Sequence, residues 1–370
     1  VADPLDVLEG RARWCVVAER CETFAARLPD GCVDLLWLDP PYFRVVDEPW
    51  DKAWDSRAAF LAWLATCADE WRRVLAPNGS LYVCASPQLS AAVERIIAER
   101  FAVLNHVVWF KDNGWWRGTE RAAQRQYFPA TERILFAEQQ GSDAIARGES
   151  RYVKACDDLR GFVFEPLRAY LDGERERAGV TRQEIEAATG TQMAGHWFSR
   201  VQWALPTEKH YRTLRELFGR KVAEPLRREY EDLRREYEDL RRPFALDKSS
   251  RFVTDLWTYP AVADYPGKHP CEKPREMLRD VVRASSRPDA LVADFFGGSF
   301  VSGEAAVSLG RRFVGCDASP RHAAQGVNRI TFATGDTTSP IRATGDDHGP
   351  LFAAEPDRQP SLFGEAADAR

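Results

Sequence analysis

The stretch Leu35-Leu36-Trp37-Leu38-Asp39-Pro40-Pro41-Tyr42-Phe43 is an apolar run that stops abruptly at an acid, two prolines and an aromatic pair. Four apolar residues without alternation suit a central parallel strand covered on both faces. Two prolines forbid its continuation, because neither has an N–H to donate and each fixes its own φ. The Asp39 carboxylate is thereby left at the strand's carboxyl end, where open α/β sheets bind ligands. Asp39 offers acceptor oxygens, the stiff Pro40-Pro41 backbone presents a carbonyl in a fixed direction, and Tyr42 offers a flat face. Together they fit a planar amino group: the Asp39 carboxylate and the Pro40 carbonyl hold the two N–H bonds of an exocyclic amine while its heterocycle stacks on Tyr42. The alternative is that Asp39 caps a helix and the prolines merely end a strand.

Around this stretch, strands alternate with helices, the mark of a parallel α/β sheet. A short strand (Arg13 to Val17) leads to a helix through Phe24 and Leu28, and a Pro29-Asp30-Gly31 turn feeds the strand that ends at Asp39. A polar, aromatic-rich loop follows from Phe43 to Trp54, of the kind that orders over a bound substrate. Phe60 to Val74 carries apolar residues at helical spacing and ends at the turn signal Pro77-Asn78-Gly79. Strands are expected at Ser80 to Ala85, Ala102 to Trp109 and Ile134 to Ala137, with a helix from Leu89 to Arg100.

The pattern breaks near Gly141 and returns at Leu256, so the chain divides into a first sheet half (1–140), an insertion (141–255), a second sheet half (256–332) and a tail (333–370). The insertion is charged and mainly helical. Thr181 caps a helix with Glu184 three residues on, a capping-box spacing, and Gly190 makes the turn. A second helix is expected to hold Gln192, His196, Ser199 and Arg200, and Pro206-Thr207 begins a third with Tyr211, Leu214 and Leu217. This succession resembles the helix-turn-helix of phage-repressor-type regulators; the alternative is a small helical bundle without DNA contact. From Arg228 to Arg241 the heptad Arg-Glu-Tyr-Glu-Asp-Leu-Arg occurs twice without a mismatch. Tyr230, Leu233, Tyr237 and Leu240 then share one stripe. Two heptads are too few for an independent coiled coil, so a docked helix or spacer is expected, with dimerisation as the alternative, which leaves monomer and homodimer both open.

In the second half, His269-Pro270-Cys271-Glu272-Lys273-Pro274 precedes a helix (Glu276 to Ser285). The strand Ala290 to Asp294 runs into Phe295-Phe296-Gly297-Gly298-Ser299, and a further helix leads to the strand Arg312 to Cys316 and to Asp317. Strand, glycine turn, helix and a second strand ending in an acid roughly twenty residues on is the nucleoside-binding half of a Rossmann-like sheet. Asp317 can accept from both ribose hydroxyls. The Gly-x-Gly-x-x-Gly phosphate turn is missing, which favours a cofactor without a pyrophosphate over NAD.

Composition sets the bounds. With 370 residues, 44% hydrophobic and 29% charged, the chain is of ordinary soluble globular type and exceeds one average domain. No run of eighteen apolar residues and no signal-peptide pattern occurs, so no membrane span or secretion is expected. The eight cysteines are scattered without Cys-x-x-Cys, which fits a reducing cytoplasm and indicates no metal site. Arginine outnumbers lysine and the first residue is Val1, which points to a GC-rich bacterial or phage gene with a non-Met start or a processed end. The net charge of -5 argues at first against a nucleic-acid partner, but Thr331 to Arg370 holds seven acids and three bases. The body is therefore near neutral, and local basic patches can do the electrostatic work.

Three of these motifs, in this order, resemble the S-adenosylmethionine-dependent DNA amino-methyltransferases of the circularly permuted β class. Asp39-Pro40-Pro41-Tyr42 corresponds to the catalytic motif, His269 to Pro274 to the segment ahead of cofactor binding, and Asp294 to Ser299 to the cofactor loop. The resemblance covers residues 13 to 138 and 256 to 330, with the insertion where the family keeps its target-recognition domain. It implies transfer of a methyl group from S-adenosylmethionine to the amino group of an adenine flipped out of double-stranded DNA. The Asp-first form is more typical of adenine than of cytosine enzymes, which remain the alternative, as does a DNA-binding regulator that has lost turnover. It further implies cofactor contacts at Asp317 on the ribose, at Phe296 and Gly298 by backbone, and at Lys273 or Ser299 near the methionine, with Lys273 otherwise a solvated helix-start lysine. Target reading is assigned to the insertion, through Gln192, His196 and Arg200, and to the loop holding Asn113, Trp115, Trp116 and Arg117. Tyr127 and Phe128 either pack the flipped base or belong to the core. Two departures from the family pattern are expected to weaken cofactor binding: Phe300 where a small residue is usual, which must then fit near the methionine, and Glu19-Arg20 in place of Gly-Asp. In the tail, Gln359-Pro360-Ser361-Leu362-Phe363 resembles the peptide by which bacterial DNA enzymes bind the replication sliding clamp, within a segment whose composition predicts disorder.

Overall fold

A computed structural model describes residues 3–111, 120–139, 164–199, 203–240, 243–246, 250–335 and 342–343. Nine strands form one sheet: β1 (Trp14–Ala18), β2 (Val33–Leu38), β3 (Leu75–Ala85), β4 (Phe101–Phe110), β5 (Thr131–Gln139), β6 (Leu256–Thr258), β7 (Leu291–Asp294), β8 (Arg312–Asp317) and β9 (Arg342–Ala343). Their spatial order is β6-β4-β5-β3-β2-β7-β8-β1-β9. The continuous apolar runs are explained by layering, since successive side chains leave a strand on opposite faces. Leu36 and Leu38 of β2 enter one core with Phe24, Phe60, Leu64, Trp71 and Ile97 from helices Cys21–Ala26, Arg57–Val74 and Ser90–Ala98. Leu35 and Trp37 enter the other, with Met277, Val281, Val301 and Ile330 from helices Arg275–Ser285, Val301–Ser308 and Pro320–Thr334. No described helix is long and apolar enough to cross a membrane.

Two expectations about the sheet need correction. It is mixed, because β5 runs antiparallel to both β3 and β4. Among the described residues no α-helix separates β4 from β5, and a return without a crossover helix reverses the strand. Pro77-Asn78-Gly79 also does not precede its strand. The strand begins at Leu75, and pairing with β2 jumps from Val33↔Leu75 to Leu35↔Ser80, so the turn residues become an irregularity inside β3.

The insertion has its own core, in which Leu167, Leu171, Ile185, Trp197, Trp203, Leu214 and Phe218 are buried together. The capping box at Thr181 and Glu184 is present, Gly190 closes helix Arg182–Thr189 in the left-handed conformation, and Thr207 caps helix Glu208–Gly219. The second helix spans only Ala194–Phe198. Gln192 is exposed in the turn ahead of it, His196 is half-buried within it, and Arg200 lies outside the described residues. The heptad segment is a helix over Tyr230–Leu240 that docks on this core through Leu233, with Tyr230, Tyr237 and Leu240 packed against it. Beyond helix Pro320–Thr334, Arg342–Ala343 lies parallel to Val17–Ala18 at the sheet edge. The Gln359 to Phe363 segment is outside the described residues.

Phe300 does not point toward the ligand cleft. It adopts φ 53°, is fully buried, and meets Phe313 edge-on at 6.4 Å. Gly297 and Gly326 make the room: a Cβ on either would stand 2.2 Å from the Phe300 ring. The expectation that this residue crowds the cofactor is therefore overturned. Alanine for glycine inside a helix ordinarily gains about 1 kcal/mol. At Gly326, within Pro320–Thr334, Gly326→Ala is expected instead to destabilise by roughly 1–3 kcal/mol through overpacking, read as a lowered urea midpoint at unchanged m-value.

Candidate active site

Strand order places the site. From β2 the chain proceeds to β3 on one side of the sheet, whereas from β7 it proceeds to β8 on the other, so the β2/β7 junction is a topological switch point. Leu35 pairs with Val292 and Leu36 with Ala293, which sets Asp39 and Asp294 at neighbouring strand ends; Asp317 ends β8 next door. One cleft across these ends is lined by Asp39 to Tyr42, His269, Lys273, Asp294 to Ser299 and Asp317. The predicted catalytic and cofactor residues are thus brought together.

At the centre stands a cluster that sequence analysis anticipated only in part. Asp39 Oδ1 accepts a hydrogen bond from the Tyr42 hydroxyl at 2.9 Å, and Oδ2 binds Lys273 Nζ. The same hydroxyl lies 2.9 Å from Glu132 Oε2, Lys273 Nζ is 3.4 Å from that oxygen, and Lys111 Nζ pairs with Glu132 Oε1. Lys273 is not a solvated helix-start lysine. Its side chain is 6% exposed and serves the Asp39 carboxylate. Burial raises the Asp39 carboxyl above the usual range, opposed by the Lys273 charge and reinforced by Glu132. For Glu132 burial acts upward too, but the Lys273 and Lys111 charges outweigh it and hold this carboxyl below its ordinary value. Burial would lower Lys273; Asp39 and Glu132 reverse that and keep it firmly cationic.

The adjoining loop is folded around Asp51, which is fully buried and accepts from the backbone N–H groups of Tyr42 (2.8 Å), Val45 (2.5 Å) and Val46 (2.8 Å). Phe43 and Arg44 take left-handed backbone conformations (φ 57° and 63°) that side chains ordinarily avoid. Phe43 is repaid by stacking on Phe60 at 5.7 Å. Trp50 from this loop stacks on His269 at 6.0 Å, and the His269 ring meets His322 edge-on at 4.7 Å. Burial first and His322 second push His269 down to about 3, so it stands neutral.

The Asp294 turn and the Asp317 strand end are built as acceptor sites. Asp294 accepts from Phe296 N at 3.0 Å and Ser302 Oγ at 2.5 Å, and burial pushes its carboxyl up to about 7. Asp317 accepts from Gly298 N and Ser319 N, both at 2.8 Å, with His322 Nδ1 at 3.2 Å. Burial acts to raise Asp317, but these partners, His322 foremost, outweigh it and keep it ionised. Gly298 has φ 50°, and a Cβ there would sit 3.0 Å from His269, so only glycine fits this turn comfortably. Where the family has Gly-Asp, Arg20 is paired to Glu22 at 2.9 Å, and Trp63 Nε1 donates to the same carboxylate at 2.7 Å. All three line the cleft.

Among the candidate DNA-contacting residues, Tyr127 is fully exposed and Phe128 is 40% exposed, so neither belongs to the core. Asn113, Trp115, Trp116 and Arg117 lie outside the described residues. Sequence reading missed Glu132, Lys111, Asp51, Trp50, His322 and Glu22. For Glu132 the available signal is a charge opening an otherwise apolar strand, Thr131-Glu132-Arg133-Ile134-Leu135; for Asp51 none exists.

Among proteins of known kind, the DNA adenine methyltransferase YhdJ of Escherichia coli is 23% identical over 316 residues, 83% of this chain and 79% of that protein. The type II methyltransferase M2.DpnII of Streptococcus pneumoniae is 38% identical over a local stretch of 71 residues, 18% of this chain and 26% of its own length. The Thermus thermophilus protein TTHA0409, a putative DNA modification methylase crystallised with S-adenosyl-L-methionine, aligns with a TM-score of 0.48 at 17% identity over 90% of this chain and 99% of that one. The family model described as DNA methylase matches residues 33–328, taking in the Asp39 motif, the insertion and both cofactor-side acids, and the chain belongs to this DNA methylase family.

Proposed function

We propose that the protein transfers a methyl group from S-adenosylmethionine to the exocyclic amine of an adenine flipped out of duplex DNA at a defined site. The observation that carries this is one cleft holding a half-buried Asp39 carboxylate, paired to the buried Lys273, beside the Asp294–Ser299 turn and Asp317. The residues suit both ligands. Asp317 would hold the ribose hydroxyls, Asp294 and Ser299 the methionine end, Phe296 and Gly298 would line the pocket by their backbone, and His269 would flank it. When bound, S-adenosylmethionine supplies an electrophilic methyl group. Asp39 and the Pro40 carbonyl orient the amine so that its lone pair faces that group, and Tyr42 stacks on the base. The Asp-first motif and the likeness to YhdJ favour adenine over cytosine. The reading of a silent regulator loses one of its two motives, because Phe300 faces the core. Gln192, His196, Arg200, Trp116, Arg117 and Tyr127 remain proposed DNA contacts, and Gln359 to Phe363 a proposed clamp peptide in a bacterial or phage cytoplasm.

Expression of wild type and Asp39→Ala in a host without adenine methylation, with modified bases mapped and nucleosides identified, tests the proposal. Methyladenine at one recurring sequence is expected from the wild type alone; methylcytosine, or no modification by a protein that binds the cofactor, contradicts it.

Two pH effects follow from the charges. The Asp294 carboxyl, raised to about 7, is largely protonated below neutrality and ionised above it. Cofactor affinity measured calorimetrically is therefore expected to tighten from pH 6 to pH 8, with Asp294→Asn weaker and flat across the range. Lys273 opposes the upward push on Asp39, so Lys273→Met moves the acidic limb of the methylation rate to higher pH; an unmoved limb with a merely lower plateau would contradict that role.

A further inference from the structure

The Tyr42 hydroxyl lies 2.9 Å from Asp39 Oδ1 and 2.9 Å from Glu132 Oε2, yet it has one proton. With both carboxyls ionised it can donate to only one, and the other oxygen faces a lone pair. With one proton added to Asp39 both contacts are satisfied at once: Asp39 donates to Tyr42, and Tyr42 donates to Glu132. Glu132 is the better member to stay ionised, since Lys111 and Lys273 both flank it.

From this geometry we infer that Asp39, Tyr42 and Glu132 form a proton switch, in which Glu132 is a positioning residue that lets Asp39 take up the proton the substrate amine must lose. The inference rests on the methyl-transfer reading. In that reaction the amine lone pair forms the N–C bond, and the S–C bond breaks with its electrons left on sulfur. The nitrogen then carries the positive charge and sheds one of its protons. That proton goes to Asp39; the Tyr42 O–H turns from Asp39 to Glu132 as Asp39 becomes the donor. No other group changes its proton count, and the cluster gains the charge that the sulfonium lost. The switch also separates Tyr42's two duties, ring against the base and hydroxyl toward the acids.

Other charged and titratable groups around Asp39 are Lys273 and Cys271 from the segment before Arg275–Ser285, Cys84 from β3 and Asp294 from β7. None of them bridges the two carboxyls through a hydroxyl, so a double-substitution cycle isolates the switch. The cycle comprises wild type, Tyr42→Phe, Glu132→Gln and the double variant. Two readouts are taken: infrared titration of the Asp39 carboxyl in the cofactor-free protein, assigned by its loss in Asp39→Asn, and the single-turnover rate with labelled S-adenosylmethionine and unmethylated genomic DNA. Glu132→Gln is expected to lower the pH at which Asp39 takes a proton and to slow transfer roughly 10²-fold, the scale of a lost acid–base contribution, without a comparable change in cofactor affinity. In the Tyr42→Phe background both effects should shrink by more than half. An undiminished effect there would reduce Glu132 to a plain charge and overturn the switch, as would a wild-type rate for Glu132→Gln. A wild type that transfers no methyl group to DNA sinks the methyltransferase reading, while the titration cycle still judges the switch.

Discussion

The ion pair between the half-buried Asp39 and the buried Lys273 ties the molecule together. Its members are 234 positions apart, one at the end of β2 and the other ahead of the Arg275–Ser285 helix, so the pair exists only when both halves of the chain have built one sheet. Burying a carboxylate and an ammonium costs more than their attraction easily returns, and such pairs are weak sources of stability. What this pair does is fix protonation. Burial pushes the Asp39 carboxyl toward its neutral form; the Lys273 charge opposes that push and favours the carboxylate, and Lys111 offsets the charge of Glu132.

Around the pair the backbone is held in forms that it would not choose alone. Phe43, Arg44 and Phe300 have positive φ, each at a cost on the order of 1–3 kcal/mol, and each is next in the chain to a residue that lines the cleft: Tyr42, Val45 and Ser299. The surroundings impose these forms: the Asp51 carboxylate gathers three backbone N–H groups of the loop, and Gly297 and Gly326 leave the volume that the Phe300 ring fills. Rigidity of this kind keeps Asp39, the Pro40 carbonyl and the Asp294 turn at fixed separations.

The insertion follows a different economy. Its core is separate from the two that flank the sheet, and among its described residues several charges pair with one another, as Arg168 with Glu165 and Lys221 with Glu184 do. Glu174, 3% exposed, accepts from Arg177, Arg227 and the Leu226 N–H, which pins the segment leading into the heptad helix. The heptad repeat, which in isolation resembles a coiled-coil seam, finds its hole within the same chain: Leu233 is buried and the flanking tyrosines lie on the helical core.

The strands and helices, the strand-end acids and the glycine turn were legible in the sequence, because each is encoded within a few residues. An apolar run with two prolines stops one way, and a β-strand followed by glycines opens onto a ligand in few ways. The capping box at Thr181 and the docked heptad stripe belong to the same local grammar. Tertiary structure alone decided the reversed strand β5, the inward turn of Phe300, the use of Lys273, and the presence of Glu132 and Lys111 at the centre. The reason is physical: a side chain's charge state and contacts depend on neighbours brought by the sheet from 90 or 234 positions away, and no local pattern of residues carries that information.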